Sequence, residues 1–234
     1  NYYFPNSLTK SQLISDPSQN GTGKEYTNDD YDIDDVSFQF DYQINSYLKI
    51  QGDYFKEEKS LFSQASYGNA LQDYDTENFN LVIPYSGENF SITYGVQLID
   101  SQRKDSSGLV TKDNKGYFVD TEIRMTDQLL LNAGTRFEKV DYTYNGSSSL
   151  KANESLNAYE IGINYAFNDS FAIFSNFNHA FQAPDVDRFF KGEYPAPAYT
   201  LSSRSFNAFI DPAKSNTFNI GFNFKNNKAS TLFT

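Results

Sequence analysis

The chain has no cysteine and no tryptophan, a single histidine, a single methionine and far fewer basic than acidic residues. Without cysteine there is neither a disulfide framework nor a thiolate metal site, a composition that fits a periplasm-facing or surface-exposed bacterial protein. With 19 Lys and Arg against 30 Asp and Glu, a formal charge of -11, the cationic surplus that phosphate contacts require is missing, so no nucleic-acid partner is expected. No apolar run approaches the roughly 20 residues of a helical membrane span, and any membrane role must be carried by strands. An enzyme needs a nucleophile, a base and an orienting group; one histidine and scattered carboxylates do not supply them, and no catalysis is expected. The chain starts without Met or a signal peptide and stops at "STLFT" inside a strand pattern, so it reads as a window cut from a longer protein.

What the chain has in quantity is aromatic: 22 Phe and 18 Tyr make up almost half of a hydrophobic content of only 38%. That is little for a conventional core in 234 residues, yet the aromatics and strong periodicity exclude disorder. In "DDVSFQFDYQINSYLKIQGDY" (34–54), Val36, Phe38, Phe40, Tyr42 and Ile44 alternate with Ser37, Gln39, Asp41 and Gln43. The same period of two predicts about ten strands, at 34–44, 47–58, 76–85, 90–102, 115–125, 128–142, 156–167, 170–181, 215–225 and 228 to the end. Tight turns rich in Asn, Asp, Gly and Ser are expected at "INSY", "SGEN", "TDQ", "FNDS" and "KNNK". Long loops are expected at 59–75, 103–114, 143–155 and 182–214. Alternating short and long connections describe an up-and-down meander. Its strands are too long for a propeller blade and match a tilted membrane crossing of about 9–11 residues plus an extension.

Each strand sorts its residues onto two faces, such as Phe90, Ile92, Tyr94, Val96 and Leu98 against Ser91, Thr93 and Gln97. A soluble sandwich would show the same alternation. Three features favour lipid. Aromatics gather beside the tight turns (Tyr42, Tyr47, Tyr85, Phe90, Phe167, Phe171, Phe224), as an interfacial girdle would. The polar faces mix both charge signs, as a hydrated or plugged lumen can. Closure removes the edges of a long open meander, and lipid demands closure. The fold class is therefore all-β, a transmembrane antiparallel up-and-down β-barrel of which this chain supplies about ten strands.

Three segments, "LLLNAGTRFEKVDY" (129–142), "SFAIFSNFNHAFQAP" (170–184) and "IDPAKSNTFNIGFNF" (210–224), resemble the barrel of TonB-dependent outer-membrane receptors. Asn132, Ala133, Gly134, Arg136 and Phe137 match one family pattern; Phe181, Ala183 and Pro184 match the next strand's end; Pro212, Lys214, Ser215 and Gly221 match a later strand start. Ala213 and Asn219 stand where the family usually has Glu. The resemblance implies that residues 1–234 are part of a barrel of about 22 strands, with the remaining strands and the N-terminal plug outside this chain. It further implies uptake of a ferric siderophore or similar iron chelate, less often haem or cobalamin, across the outer membrane of a Gram-negative bacterium. Energy would come from the TonB-ExbB-ExbD system acting through the plug. Outer-membrane lipid and lipopolysaccharide would surround the wall, and no cofactor is implied. A passive porin or structural barrel is the competing reading.

Within 182–214 the sequence carries Asp185, Asp187, Glu193 and Asp211 against Arg188, Lys191, Arg204 and Lys214, neutral in an acidic chain, with Phe189, Phe190, Tyr194, Tyr199, Phe206 and Phe209 among them. Cations beside rings suit an anionic, aromatic iron chelate. Arg188, Lys191, Tyr194, Tyr199 and Arg204 are the candidate ligand contacts; the bland reading is a loop that uses its rings as a core of its own. His179 could ligate haem iron, but it shares parity with Phe171, Ile173 and Phe177 and is expected to point outward. "NDDYDIDD" (28–35) could bring carboxylates onto Ca²⁺, yet it lacks the glycine turn and closing Glu of a calcium loop and reads as a solvated acidic loop.

Overall fold

The computed structural model describes residues 28–65, 68–193, 203–225 and 230–233. Ten strands form one antiparallel sheet: β1 (Asn28–Gln43), β2 (Lys49–Ala65), β3 (Gly68–Ser86), β4 (Phe90–Asp105), β5 (Gly108–Arg124), β6 (Leu129–Gly146), β7 (Ser149–Asn168), β8 (Phe171–Gln182), β11 (Ala213–Lys225) and β12 (Ser230–Phe233). Neighbours in sequence are neighbours in the sheet, from β1 at one edge to β12 at the other. Between β8 and β11 lie a four-residue helical turn, Val186–Phe189, and a small hairpin of β9 (Phe190–Glu193) and β10 (Ser203–Phe206). No helix among the described residues is long and apolar enough to cross a membrane, a statement that leaves strands out of account.

The strands outrun their hydrophobic pattern. Residues 103–114 and 143–155, expected as long loops, are strands joined by two-residue turns at 106–107 and 147–148. β2 and β3 likewise run through the expected loop 59–75, pairing Ala65 with Gly68. Beyond the apolar band the outward face of these hairpins carries charged and polar residues, while buried apolar ones such as Val110 and Tyr144 stand on the inner face under the loop, so the strict alternation breaks down and the periodic signal weakens. Gly108 closes the turn after β4 with φ +141°, a backbone setting that strains any residue with a Cβ. Residues 28–35, expected as an acidic loop, are also strand: Asp34 stands opposite Glu58 and Asp35 opposite Glu57. Alternate carboxylates such as Asp32 and Asp34 share a face but are spread along an extended backbone, and no group of three or more possible metal ligands forms among the described residues.

Cross-strand register tilts the sheet. The row that starts at Tyr85, at the foot of β3, passes Ile92, Thr121, Ala133, Ile161 and Phe177 and reaches Phe218, well inside β11. This stagger is what a barrel wall of leaning strands requires. Among the described residues nothing packs on the face carrying these side chains: Phe38 is 62% exposed and Ile220 67%. A continuous apolar sheet face left open on this scale marks a surface made for lipid rather than water. Beside the tight turns the rings touch one another, Tyr47 with Tyr85, Tyr85 with Phe90, Tyr165 with Phe167, and Phe171 with Phe167 and Phe222, forming the expected girdle.

The opposite face is polar and internally bonded. Asn80 donates to Asp53 at 2.8 Å. Arg136 donates to Gln97 at 2.7 Å and to Glu138 at 2.6 and 2.9 Å, and Asn114 completes the chain to Glu138 at 2.7 Å. Gly116 lies under the Arg136 guanidinium, where a Cβ would collide with it.

Candidate functional site

The one buried apolar cluster among the described residues sits on that polar face, at the end away from the tight turns. Val140, Tyr142 and Tyr144 continue the inward parity of Arg136 and Glu138; with Val110 and Leu156 they form an apolar shelf, and Val186 and Phe189 from the loop settle onto it. Phe189 is fully buried and meets Tyr142 edge-on at 5.0 Å, while Phe206 stacks flat on Tyr144 at 4.0 Å. Phe209 joins both halves, 5.1 Å from Phe189 and 5.2 Å from Phe206. Tyr142 donates its hydroxyl to the Pro184 carbonyl at 3.0 Å, which anchors the loop's entry, and burial pushes its phenol pKa upward. The Asp185 side chain caps the helical turn by accepting from the Val186 N–H. The loop's rings thus do form a core, but they share it with the barrel wall.

Beside this cluster a row of cations and rings crosses four strands, β1 to β4. Lys59 on β2 lies 5.3 Å from the Tyr31 ring and 5.5 Å from that of Tyr74, its register partner on β3. Tyr74 pairs in register with Arg103 on β4, whose guanidinium stacks at 3.8 Å on Phe190 of the loop. Arg103 is 1% exposed and is bridged by Asp105 at 2.8 Å and by Asp187 of the loop at 3.0 Å. Tyr74 donates to the same Asp187 oxygen at 3.0 Å. Nearby, burial lowers the Lys112 ammonium pKa against the opposing pull of Asp185 and Glu138.

Of the residues expected to contact ligand, Arg188 and Lys191 are exposed on the loop's outer surface and make no ion pair among the described residues. The Arg204 backbone lies opposite Gly192 and next to Ser205, which faces Lys191, so the β9–β10 hairpin brings positions 191 and 204 together. Tyr194 and Tyr199 lie outside the described residues. Around the hairpin's base a cleft of about 430 Å³ is bounded by Asp105, Ser107, Tyr144, Ser205 and Phe206. His179 stacks at 5.1 Å on Tyr159 and bonds Asn216 at 2.7 Å, all on the apolar face and turned away from this site. Lys59, Tyr74 and Arg103 are absent from the sequence-based candidates because they fall in segments expected to be loops, where cross-strand pairing cannot be foreseen.

Staggered antiparallel strands, apolar on one face and polar on the other, with a loop folded over the polar face, are the architecture of a β-barrel wall. The whole chain, residues 1–234, matches the model of the TonB dependent receptor-like β-barrel, and the protein belongs to that family. Among solved structures it resembles the copper transporter OprC (TM-score 0.70, 12% identity, 84% of this chain and 36% of that one). It also resembles the ferric citrate transporter FecA in unliganded form (0.64, 14%, 94% and 36%). A third likeness is to the alcaligin outer membrane receptor FauA of Bordetella pertussis (0.60, 14%, 86% and 35%). The chain spans about a third of the length of these structures. No curated protein matches it.

Proposed function

We propose that the chain is a stretch of barrel wall from an outer-membrane receptor that takes up a ferric siderophore or similar iron chelate in a TonB-dependent manner. The remaining strands and a plug domain would come from sequence outside these residues. The observation that carries this reading is the loop: in an acidic chain, it holds Arg188 and Lys191 exposed above a rigid aromatic base. An anionic chelate finds there exposed cationic charge, carried on a loop that its own rings fix to the wall, and such binding needs no catalytic group. Arg204, Tyr194 and Tyr199, from the same 182–214 segment of the sequence, are proposed to act with them. The likeness to transporters of ferric chelates supports the substrate class, and family membership supports coupling to TonB and a setting among outer-membrane lipid and lipopolysaccharide.

Replacing Arg188, Lys191 and Arg204 together with Ala in the full-length protein should weaken ferric-chelate binding at least ten-fold, about 1.4 kcal/mol. Titration calorimetry against a panel of ferric siderophores measures it. Unchanged affinity across every chelate that the wild type binds would reject the assignment.

A further inference from the structure

Lys112 is a cation without a close counter-ion. It stands on the inner face of β5, half-buried between Val110 and Asn114 and opposite Tyr142 of the aromatic shelf, and makes no hydrogen bond or ion pair among the described residues. Two carboxylates are near enough to pull on its proton, Asp185 and Glu138, but both are committed elsewhere. Glu138 accepts from Asn114 at one oxygen and from Arg136 at the other, and Asp185 caps the helical turn. Holding a half-buried ammonium away from any partner costs stability, and a local cost of this kind is characteristic of a binding position. The side chains across the strands are of the same kind. Ser101 on β4 stands directly opposite Lys112, and Thr76 on β3 opposite Ser101, all three with the inward parity of Gln97 and Asn80. Each is partly open, and neither hydroxyl has a partner among the described residues. Opposed side chains on adjacent strands start about 5 Å apart, so the row presents an ammonium and two hydroxyl donors over roughly 10 Å. Glu57, opposite Thr76, ends the row with negative charge and leaves its positive end at Lys112, beside the docked loop. Such a row fits an oxyanion with more than one oxygen.

We propose that Lys112, Ser101 and Thr76 form an oxyanion-binding site on the inner wall at the edge of the docked loop. Its occupant is a carboxylate, phosphate or catecholate group of a small anionic ligand, held by the ammonium and oriented by the two hydroxyls. This rests on the chelate-receptor reading above and deepens it. Arg188 and Lys191 meet the ligand on the loop's exposed surface, and Lys112 gives its acidic group a second hold on the wall itself.

Lysine acetylation of the full-length protein in detergent micelles, followed site by site by mass spectrometry, tests the site with ferric citrate and inorganic phosphate as probes. At about ten times its Kd, at least one probe should slow modification of Lys112 roughly ten-fold. Lys115, on the opposite face of the same strand, should react at an unchanged rate. Lys112→Gln should weaken binding of that probe about ten-fold, and Lys112→Arg, which keeps the charge, by less than about three-fold. If neither probe slows modification of Lys112, or if Lys112→Gln binds both as the wild type does, the proposal is overturned. It is equally overturned if Lys112 is inert before any probe is added, because another segment of the protein then covers it. Protection by phosphate with no ferric citrate bound by any variant supports the site while counting against the chelate reading. Ferric citrate binding that falls in the Arg188, Lys191 and Arg204 variant, with Lys112 modified at an unchanged rate under both probes, does the reverse.

Discussion

Asp100 shows how much a single position owes to register. It lies one alternate residue beyond Leu98 on the outward face, just past the apolar band, opposite Glu77 on one side and Asp113 on the other. Its pKa is raised above the ordinary 3.8, first by partial burial and then by Asp113, Glu77 and Asp75. A carboxyl whose folded pKa is raised contributes stability that is complete below 3.8 and is lost as pH climbs through the folded value. Asp100→Asn, fixed in the neutral state, should escape that loss. Its thermal midpoint should fall less than the wild type's between pH 4 and pH 7; equal falls would mean that the neighbouring carboxylates do not reach Asp100. None of this is legible from sequence, because each of these carboxylates reads locally as a solvated charge. Arg103 is the same lesson at the candidate site: its partners Tyr74 and Asp187 are distant in the chain, and only strand pairing and the loop's return assemble them.

Among the elements, the connection after β8 differs from every other described hairpin in turning back onto the wall. Burial of Phe189 between Tyr142, Phe206 and Phe209 is its main attachment. Phe189→Ala should cost about 3–5 kcal/mol of docking free energy, leaving the Asp187–Arg103 pair and the Tyr142–Pro184 hydrogen bond as attachments. The loop should then lose hydrogen-exchange protection at 186–193 while the amides of β5 and β6 below the shelf keep theirs. Protection unchanged in the loop would mean that something other than this core holds it. The tight turns at "INSY", "SGEN", "TDQ" and "FNDS" and the apolar parts of the strands are readable because lipid imposes a strict period of two on one face, whereas "KNNK" falls on residues outside the described ones. The outer parts of β2 to β7 are not, since residues such as Asp73, Lys104 and Asp113 replace that period with charge on the outward face. The loop's ring content was visible, and its shared core was not, because half of it is supplied by Val110, Tyr142 and Tyr144.

For the molecule as a whole, family, fold and candidate site all depend on which side of the sheet meets lipid. The outward rings and aliphatics, the girdle at the turns, the inward polar chain through Arg136 and Glu138, and the loop folded over the inner face are consistent with one orientation only. The absence of cysteine in this chain makes that orientation directly measurable. Nitroxide labels on single cysteines at Phe38, Ile92, Leu131 and Ile220, in the full-length protein reconstituted into lipid vesicles, should collide freely with oxygen and hardly at all with a water-soluble nickel chelate. Labels at Asn80, Asn132 and Asn219 should show the opposite preference. Outward labels that are immobilised and shielded from both reagents, as they would be inside a dry protein core, would contradict the membrane-wall account and the receptor reading built on it.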